Sequence, residues 1–251
     1  MTVKVGCCGW GFYRGGLKSY AKKFSLVEVQ QTFYRLPSIS AIRRWRAEAP
    51  DKFEFCVKAF QALTHPPTSP TWRRSGLSPE ILKKKSFGWL RPTRDNFDAW
   101  GRVKETCDAL GARVCVVQCP PSFRCTSENI EGMREFFSKI ERGGLALAWE
   151  PRGDWNERPD VIRRLCDELQ LIHVVDLMRR EPLSEHPVAY IRLHGVNPHE
   201  YDYSYRYTDE DLKELAARVR SLAKRHEEVY VMFNNVHMYE SAEKLKSILC
   251  Q

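Results

Sequence analysis

LALAWEPRGDW, residues 145 to 155, is an apolar run that ends abruptly in charge. Leu145 to Trp149 suit a strand buried on both faces, and Glu150, Arg152 and Asp154 follow at once. Strand alternation places Ala146, Ala148, Glu150 and Arg152 on one face, so small residues lead up to a paired acid and base. The same design recurs in VEVQQTFYRLP (27–37), FEFCVKAF (53–60), VCVVQCPPSF (114–123), IHVVDL (172–177), VAYIRLHG (188–195) and EVYVMFNN (228–235), with a first strand over 3–8. Helical segments separate these runs: 18–24, 38–47 capped by Ser38, 97–110 closed by Gly111, 128–140, 159–169, 209–225 capped by Thr208, and 241–249. Eight strands alternating with helical segments predict an α/β fold, a single TIM-like (β/α)8 barrel over residues 1–251.

The composition fits that reading. A chain of 251 residues, 43% hydrophobic, can bury a large core and has the usual size of one such barrel. Its formal net charge of +8 favours an anionic partner. No stretch has the apolar length of a membrane span and no secretory leader precedes the first strand, so a cytoplasmic protein without membrane association is expected. Nine cysteines occur without CxxC pairs or zinc-finger spacing. Cys56, Cys115 and Cys166 read as small core residues; Cys7, Cys8, Cys119 and Cys125 fall near strand ends, and their redox state stays open.

Barrel geometry brings the strand ends to one mouth. The residues gathered there are Glu28, Lys58, Gln118, Glu150, Arg152, Asp176, Arg192, His194 and Asn234. Glu28 or Glu150 is expected to act as base and His194 as acid. Lys58, Gln118, Arg152, Asp176, Arg192 and Asn234 are expected to bind substrate, joined by Trp10 from the GWGFYRGG loop and Tyr34 from QQTFYRLP. Two arginines and a lysine favour phosphate or carboxylate. The competing reading makes these charges a buried ion network that satisfies only itself.

No cofactor is expected. A three-metal hydrolase site needs several histidines, and only His194 lies squarely at a strand end; His65 follows strand three and His173 precedes its strand's exit. One divalent ion on Glu28, Glu150 or Asp176 is permitted, whereas the cysteine spacing does not favour an iron–sulfur cluster.

Residues 59–96 change character. Prolines at 66, 67, 70, 79 and 92 accompany Arg73, Arg74, Lys83, Lys84, Lys85, Arg91 and Arg94, interleaved with Trp72, Phe87 and Trp89. So long a basic insert after strand three predicts a lid or binding loop, and cations with aromatics between them suit a nucleic-acid backbone and stacked bases. Arg73, Arg74, Lys83, Lys84 and Lys85 are its candidate phosphate contacts.

GWGFYRG, VEVQQTFYRLP, FEFCVKA, QCPPSF, WEPRGDW, YIRLHG with its tyrosine-rich sequel, and FNN resemble, in this order along nearly the whole chain, the DUF72 (YecE-like) family. The resemblance implies a TIM-like barrel with a polar pocket at the C-terminal strand ends and no firmly established activity. Members have been proposed to act on nucleic acid by likeness to endonuclease-type barrels. Gln30 and Gln31 stand where the family pattern reads VEVNSTFY. The expected function is an enzyme, hydrolase or lyase, acting on a phosphate-bearing substrate that includes nucleic acid in its range. The alternatives are a noncatalytic nucleic-acid-binding protein and a glycoside hydrolase using Glu28 and Glu150. Protein partners and oligomeric state are not readable.

Overall fold

Eight parallel strands form the barrel: β1 (Thr2–Cys7), β2 (Leu26–Val29), β3 (Glu54–Lys58), β4 (Val114–Gln118), β5 (Ala146–Glu150), β6 (Leu171–His173), β7 (Val188–Leu193) and β8 (Glu228–Phe233). The computed structural model describes residues 2–200 and 202–250. The sheet order is β6-β5-β4-β3-β2-β1-β8-β7. A single parallel bridge, Val175 to Ile191, closes the ring, and the Arg192 N–H donates to the Val175 carbonyl at 2.9 Å.

Nine helices surround the sheet among the described residues: α1 (Gly16–Tyr20), α2 (Gln31–Tyr34), α3 (Ile39–Glu48), α4 (Pro79–Lys83), α5 (Arg94–Leu110), α6 (Ser127–Lys139), α7 (Pro159–Leu169), α8 (Asp209–Ala223) and α9 (Met238–Leu249). Caps set several of their ends. Thr208 and Asp211 form a reciprocal capping box at α8, and Gly111 takes the left-handed conformation that stops α5. No helix is long and apolar enough to cross a membrane among the described residues.

Two apolar layers hold the barrel. The outer one joins helices to the outward strand faces and includes Trp149, Trp155, Phe55 and Phe136. The inner one is smaller, with Leu26, Cys56, Val116, Ala148, Tyr190 and Tyr230. At the N-terminal rim Lys4 bridges Glu54 at 2.6 Å and Glu228 at 3.0 Å, and the Tyr230 hydroxyl donates to Glu54 at 2.7 Å. One end of the interior is therefore closed by paired charge, which leaves the C-terminal end for chemistry.

Three local expectations change. The strand expected over 27–37 ends at Val29, because Thr32 turns back: its hydroxyl donates to the Val29 and Lys58 carbonyls at 2.9 and 2.7 Å, and Gln31–Tyr34 coils as α2. The run read over 172–177 is shorter as a strand: β6 spans Leu171–His173, Val175 adds only an isolated bridge, and residues 176–187 carry neither strand nor helix. The insert after β3 is not an open loop. Trp72 and Phe87 are buried and stacked at 5.3 Å, and Trp72 Nε1 donates to the Pro66 carbonyl at 2.8 Å. Gly88, at φ 95°, lies so close to His65 and Pro66 that any Cβ would collide with their backbone, and Asn96 bonds both its N–H and its carbonyl.

Candidate active site at the barrel mouth

Period-two geometry decides which side chains meet. Glu28 follows Leu26, Lys58 follows Cys56, Glu150 follows Ala148 and Arg192 follows Tyr190 on inward-facing positions, so each charge stands one layer above the inner apolar core. Arg192 is fully buried and joins the two acids. Its Nε donates to Glu28 Oε2 at 3.1 Å, its Nη2 lies 3.1 Å from Glu28 Oε1, and its Nη1 donates to Glu150 Oε2. Arg152 grips the other Glu150 oxygen through Nε at 2.8 Å and Nη2 at 2.6 Å. Glu28 also accepts from the Tyr190 hydroxyl at 2.9 Å and from the Gln30 amide.

Burial alone would raise the Glu150 carboxyl, but Arg152 and then Arg192 hold it well below the usual carboxylate range. It stays ionised and is a weak base. Burial, reinforced by Arg192, Arg152 and Lys58, pushes His194 well below its ordinary value despite Glu150, so its imidazole is neutral at pH 7. A neutral imidazole holds only its one N–H proton, which weighs against the expected role of His194 as acid. Burial raises Asp176 to about 6. Its oxygens accept the His194 and Met178 backbone N–H groups at 2.8 and 3.0 Å, which ties the end of β6 to β7.

Lys58 differs from the arginines. It is 8% exposed, its Nζ lies 4.1 Å from the Phe33 ring centroid, and among the described residues no carboxylate pairs with it and no hydrogen bond reaches its Nζ. Burial first, then Arg192 and Arg152, lower its pKa from 10.5 to about 7 against the opposing pull of Glu150 and Glu28.

Lys58 lines a cavity of about 580 Å³ with Cys8, Tyr34, Tyr203 and Asn234. A second hollow of about 460 Å³ shares Cys8, Phe12, Gln30 and Tyr34 with it and continues to Trp10, Arg35 and Arg74. The two adjoin along these shared residues and together make the groove at the mouth. The Arg74 guanidinium stacks 3.6 Å from the Tyr34 ring centroid, so it stands at the rim on a preformed support. Phe12 is 95% exposed in the same groove, a ring with no intramolecular cover.

The family model described as "Protein of unknown function DUF72" matches residues 4–250. The chain belongs to the DUF72 family. UPF0759 protein YunF of Bacillus subtilis (strain 168) is 25% identical over 286 residues, spanning 98% of this chain and 93% of YunF. A DUF72 family protein from Thermotoga maritima is similar in structure, with a TM-score of 0.75, 23% identity and 100% of both chains covered. Endonuclease IV from Thermus thermophilus shares the fold at a TM-score of 0.51 and 12% identity, over 100% of this chain and 98% of that one.

In this DUF72 chain Glu28, Lys58, Glu150, Arg152, Arg192 and His194 come together, while Gln118 turns its amide to the Cys119 carbonyl at 2.9 Å and Asn234 lies on the groove wall. Arg192, expected to bind ligand, has its donors engaged by Glu28, Glu150 and, at 3.8 Å, the Cys8 sulfur. Of the insert's cations only Arg74 lines the mouth groove; Lys85 pairs with Asp95 at 2.7 Å, and Lys83, Lys84 and Arg73 are exposed. The aromatics expected beside them for base stacking, Trp72 and Phe87, lie in the core instead. Tyr201 lies outside the described residues.

Arg35, Phe12, Tyr190 and Cys8 were not expected. Tyr190 stands two residues before Arg192 on its strand, a signal that was readable; Phe12 and Arg35 lie beyond strand ends, where period two stops. All nine cysteines are free thiols. Among the described residues no three His, Cys, Asp or Glu side chains converge as metal ligands, and Glu28 and Glu150 face guanidinium, hydroxyl and amide donors.

Proposed function

We propose that this chain is an enzyme of hydrolase or lyase type that takes a phosphate-bearing substrate into the mouth groove, with Lys58 as its acid–base group. One observation carries the reading: Lys58 is buried on a rigid strand end, open to the groove, and among the described residues no carboxylate is in ion-pair contact with it. Such an amine exchanges its proton near neutral pH, as general acid–base catalysis needs. Arg192 and Arg152 fix Glu150, and Arg192 also fixes Glu28, so the network acts by shaping the field at Lys58. Arg35 and Arg74 on the rim supply the contacts a phosphate needs, and Tyr34, Phe12 and Trp10 offer faces to a ring.

Glycoside hydrolysis by Glu28 and Glu150 has less support, because Arg192 holds both carboxylates and Arg152 also holds Glu150. Nucleic acid remains within the substrate class, since Arg73, Lys83 and Lys84 are exposed cations of the same insert as Arg74.

Thermal melts at low salt test the reading with three probes: inorganic phosphate, glycerol 3-phosphate and AMP. Each is expected to raise the melting temperature, glycerol and adenosine are expected not to, and Arg74→Ala is expected to weaken the effect. Absence of any phosphate-dependent stabilisation contradicts the proposal.

A further inference from the structure

We propose that Lys58 is an imine-forming amine and that the substrate carries an aldehyde or ketone as well as its phosphate. The proposal rests on the phosphate reading of the same groove and adds a covalent step to it. Three observations support it. Among the site cations Lys58, Arg152, Arg192, Arg35 and Arg74, only Lys58 bears a group that can add to a carbonyl carbon, because guanidinium keeps its proton. Its Nζ is free of the carboxylate contacts that Arg152 and Arg192 make, so no ion pair must break before it reacts. Its backbone is fixed at the end of β3, where the Lys58 carbonyl accepts the Thr32 hydroxyl at 2.7 Å, and its ammonium packs on the Phe33 ring, so the reacting atom is positioned in advance.

The neutral amine adds its lone pair to the carbonyl carbon, forming C–N while the C=O pair moves to oxygen. Proton transfer from nitrogen to that oxygen gives a carbinolamine. With one proton from the medium the hydroxyl leaves as water, and the nitrogen lone pair closes a C=N bond that bears the positive charge. The amine, the carbonyl compound and one proton become an iminium and one water. Arg192 and Arg152 favour the uncharged amine before attack, since a second cation beside them is repelled, and Glu150 and Glu28 lie near enough to offset the charge of the iminium. An iminium acidifies the adjacent C–H: water takes that proton and the C–H pair forms an enamine C=C, after which the nitrogen lone pair restores C=N, the C=C pair shifts to the next bond and phosphate leaves from the next carbon with its bonding pair. The imine thus favours the lyase reading over the hydrolase one.

Reductive trapping tests this on the wild-type protein. Glyceraldehyde 3-phosphate is incubated with the protein at pH 7 in the presence of cyanoborohydride, which delivers hydride to an iminium and leaves a stable secondary amine. Digestion and mass spectrometry then locate the adduct, whose mass is that of the probe less one oxygen. Glyceraldehyde serves as the carbonyl probe without phosphate, and glycerol 3-phosphate as the phosphate without carbonyl.

The expected result is labelling of Lys58 at least about tenfold above Lys83 and Lys84, because burial lowers the Lys58 pKa to about 7 and leaves its amine uncharged far more often than an ordinary lysine amine. Labelling is expected to be weaker with glyceraldehyde and to be suppressed by glycerol 3-phosphate. If glycerol 3-phosphate stabilises the protein but Lys58 is labelled no more than Lys83 and Lys84, the imine is overturned and the phosphate site stands. If Lys58 is labelled equally by both aldehydes, without competition, the phosphate reading falls and takes the proposed substrate class with it. With neither labelling nor stabilisation, both fall.

Discussion

Replacing Lys58 by methionine should change stability in a way that depends on pH, and the size follows from the burial of its amine. Folding lowers the Lys58 pKa from 10.5 to about 7. Each tenfold change in proton affinity corresponds to about 1.4 kcal/mol, so the charged form is disfavoured in the fold by about 5 kcal/mol. The sign follows from proton counts. Between pH 7 and 10.5 the unfolded chain holds the Lys58 proton and the folded one does not, so this contribution to stability improves as pH rises through that window. Below pH 7 both states are protonated and the full cost is present.

From pH 6 to pH 9 the wild type should therefore gain about 2–3 kcal/mol relative to Lys58→Met, whose thioether fills much of the same space without titrating. For a chain of this size that is a change of about 5–10 °C in the melting-temperature difference between the two proteins. Melts of both at pH 6 and pH 9 in one salt concentration measure it, and all other titrating groups are common to the pair. A difference that stays flat within about 1 kcal/mol across that range refutes the reasoning, since Lys58 would then have an ordinary amine.

The ion network gives a second expectation: Arg192→Ala leaves the Glu28 and Glu150 carboxylates facing each other in a buried layer and should cost about 3–5 kcal/mol by urea unfolding. Arg152→Ala should cost less, because Arg192 remains on Glu150. Trp72→Ala should destabilise by about 3–5 kcal/mol, the cost of a packed core indole; a loss within a few tenths would mean that the insert is a loose flap. Affinity for a single-stranded DNA oligonucleotide should fall steeply with salt, and neutral replacement of Lys83 and Lys84 should flatten that slope more than Lys85→Gln does, since Lys85 already pairs with Asp95. Binding indifferent to salt contradicts a phosphate-tracking insert.

The barrel and its mouth were legible because strand alternation is a backbone property. Once Ala146, Ala148 and Glu150 share a face, Glu28, Lys58 and Arg192 follow by the same arithmetic on their own strands, and closure of the sheet forces them together. What the pattern could not show is pairing. Arg192 and Lys58 look alike as inward cations, yet one is held between two carboxylates and the other has none, a difference fixed by neighbours far apart in sequence. Nor does the insert's composition say which face its aromatics take. Trp72 and Phe87 stack on each other in the core while Arg74 turns to Tyr34, so the charges and rings that alternate in sequence separate in space. Thr32 ended β2 early for a similar reason, since its hydroxyl partner on Lys58 comes from the next strand.

The most direct test is the titration of Lys58 itself, followed by heteronuclear NMR of the εCH2 group in protein labelled at lysine, with Lys58→Met used to assign the signal. In the free protein Lys58 is expected to titrate near 7, well below the ordinary lysine value. With glycerol 3-phosphate bound in the groove its pKa should rise, because an anion beside the amine favours the charged form, and inorganic phosphate should act in the same direction. A Lys58 signal that titrates at the ordinary lysine value of about 10.4, and does not move when phosphate is added, contradicts the account.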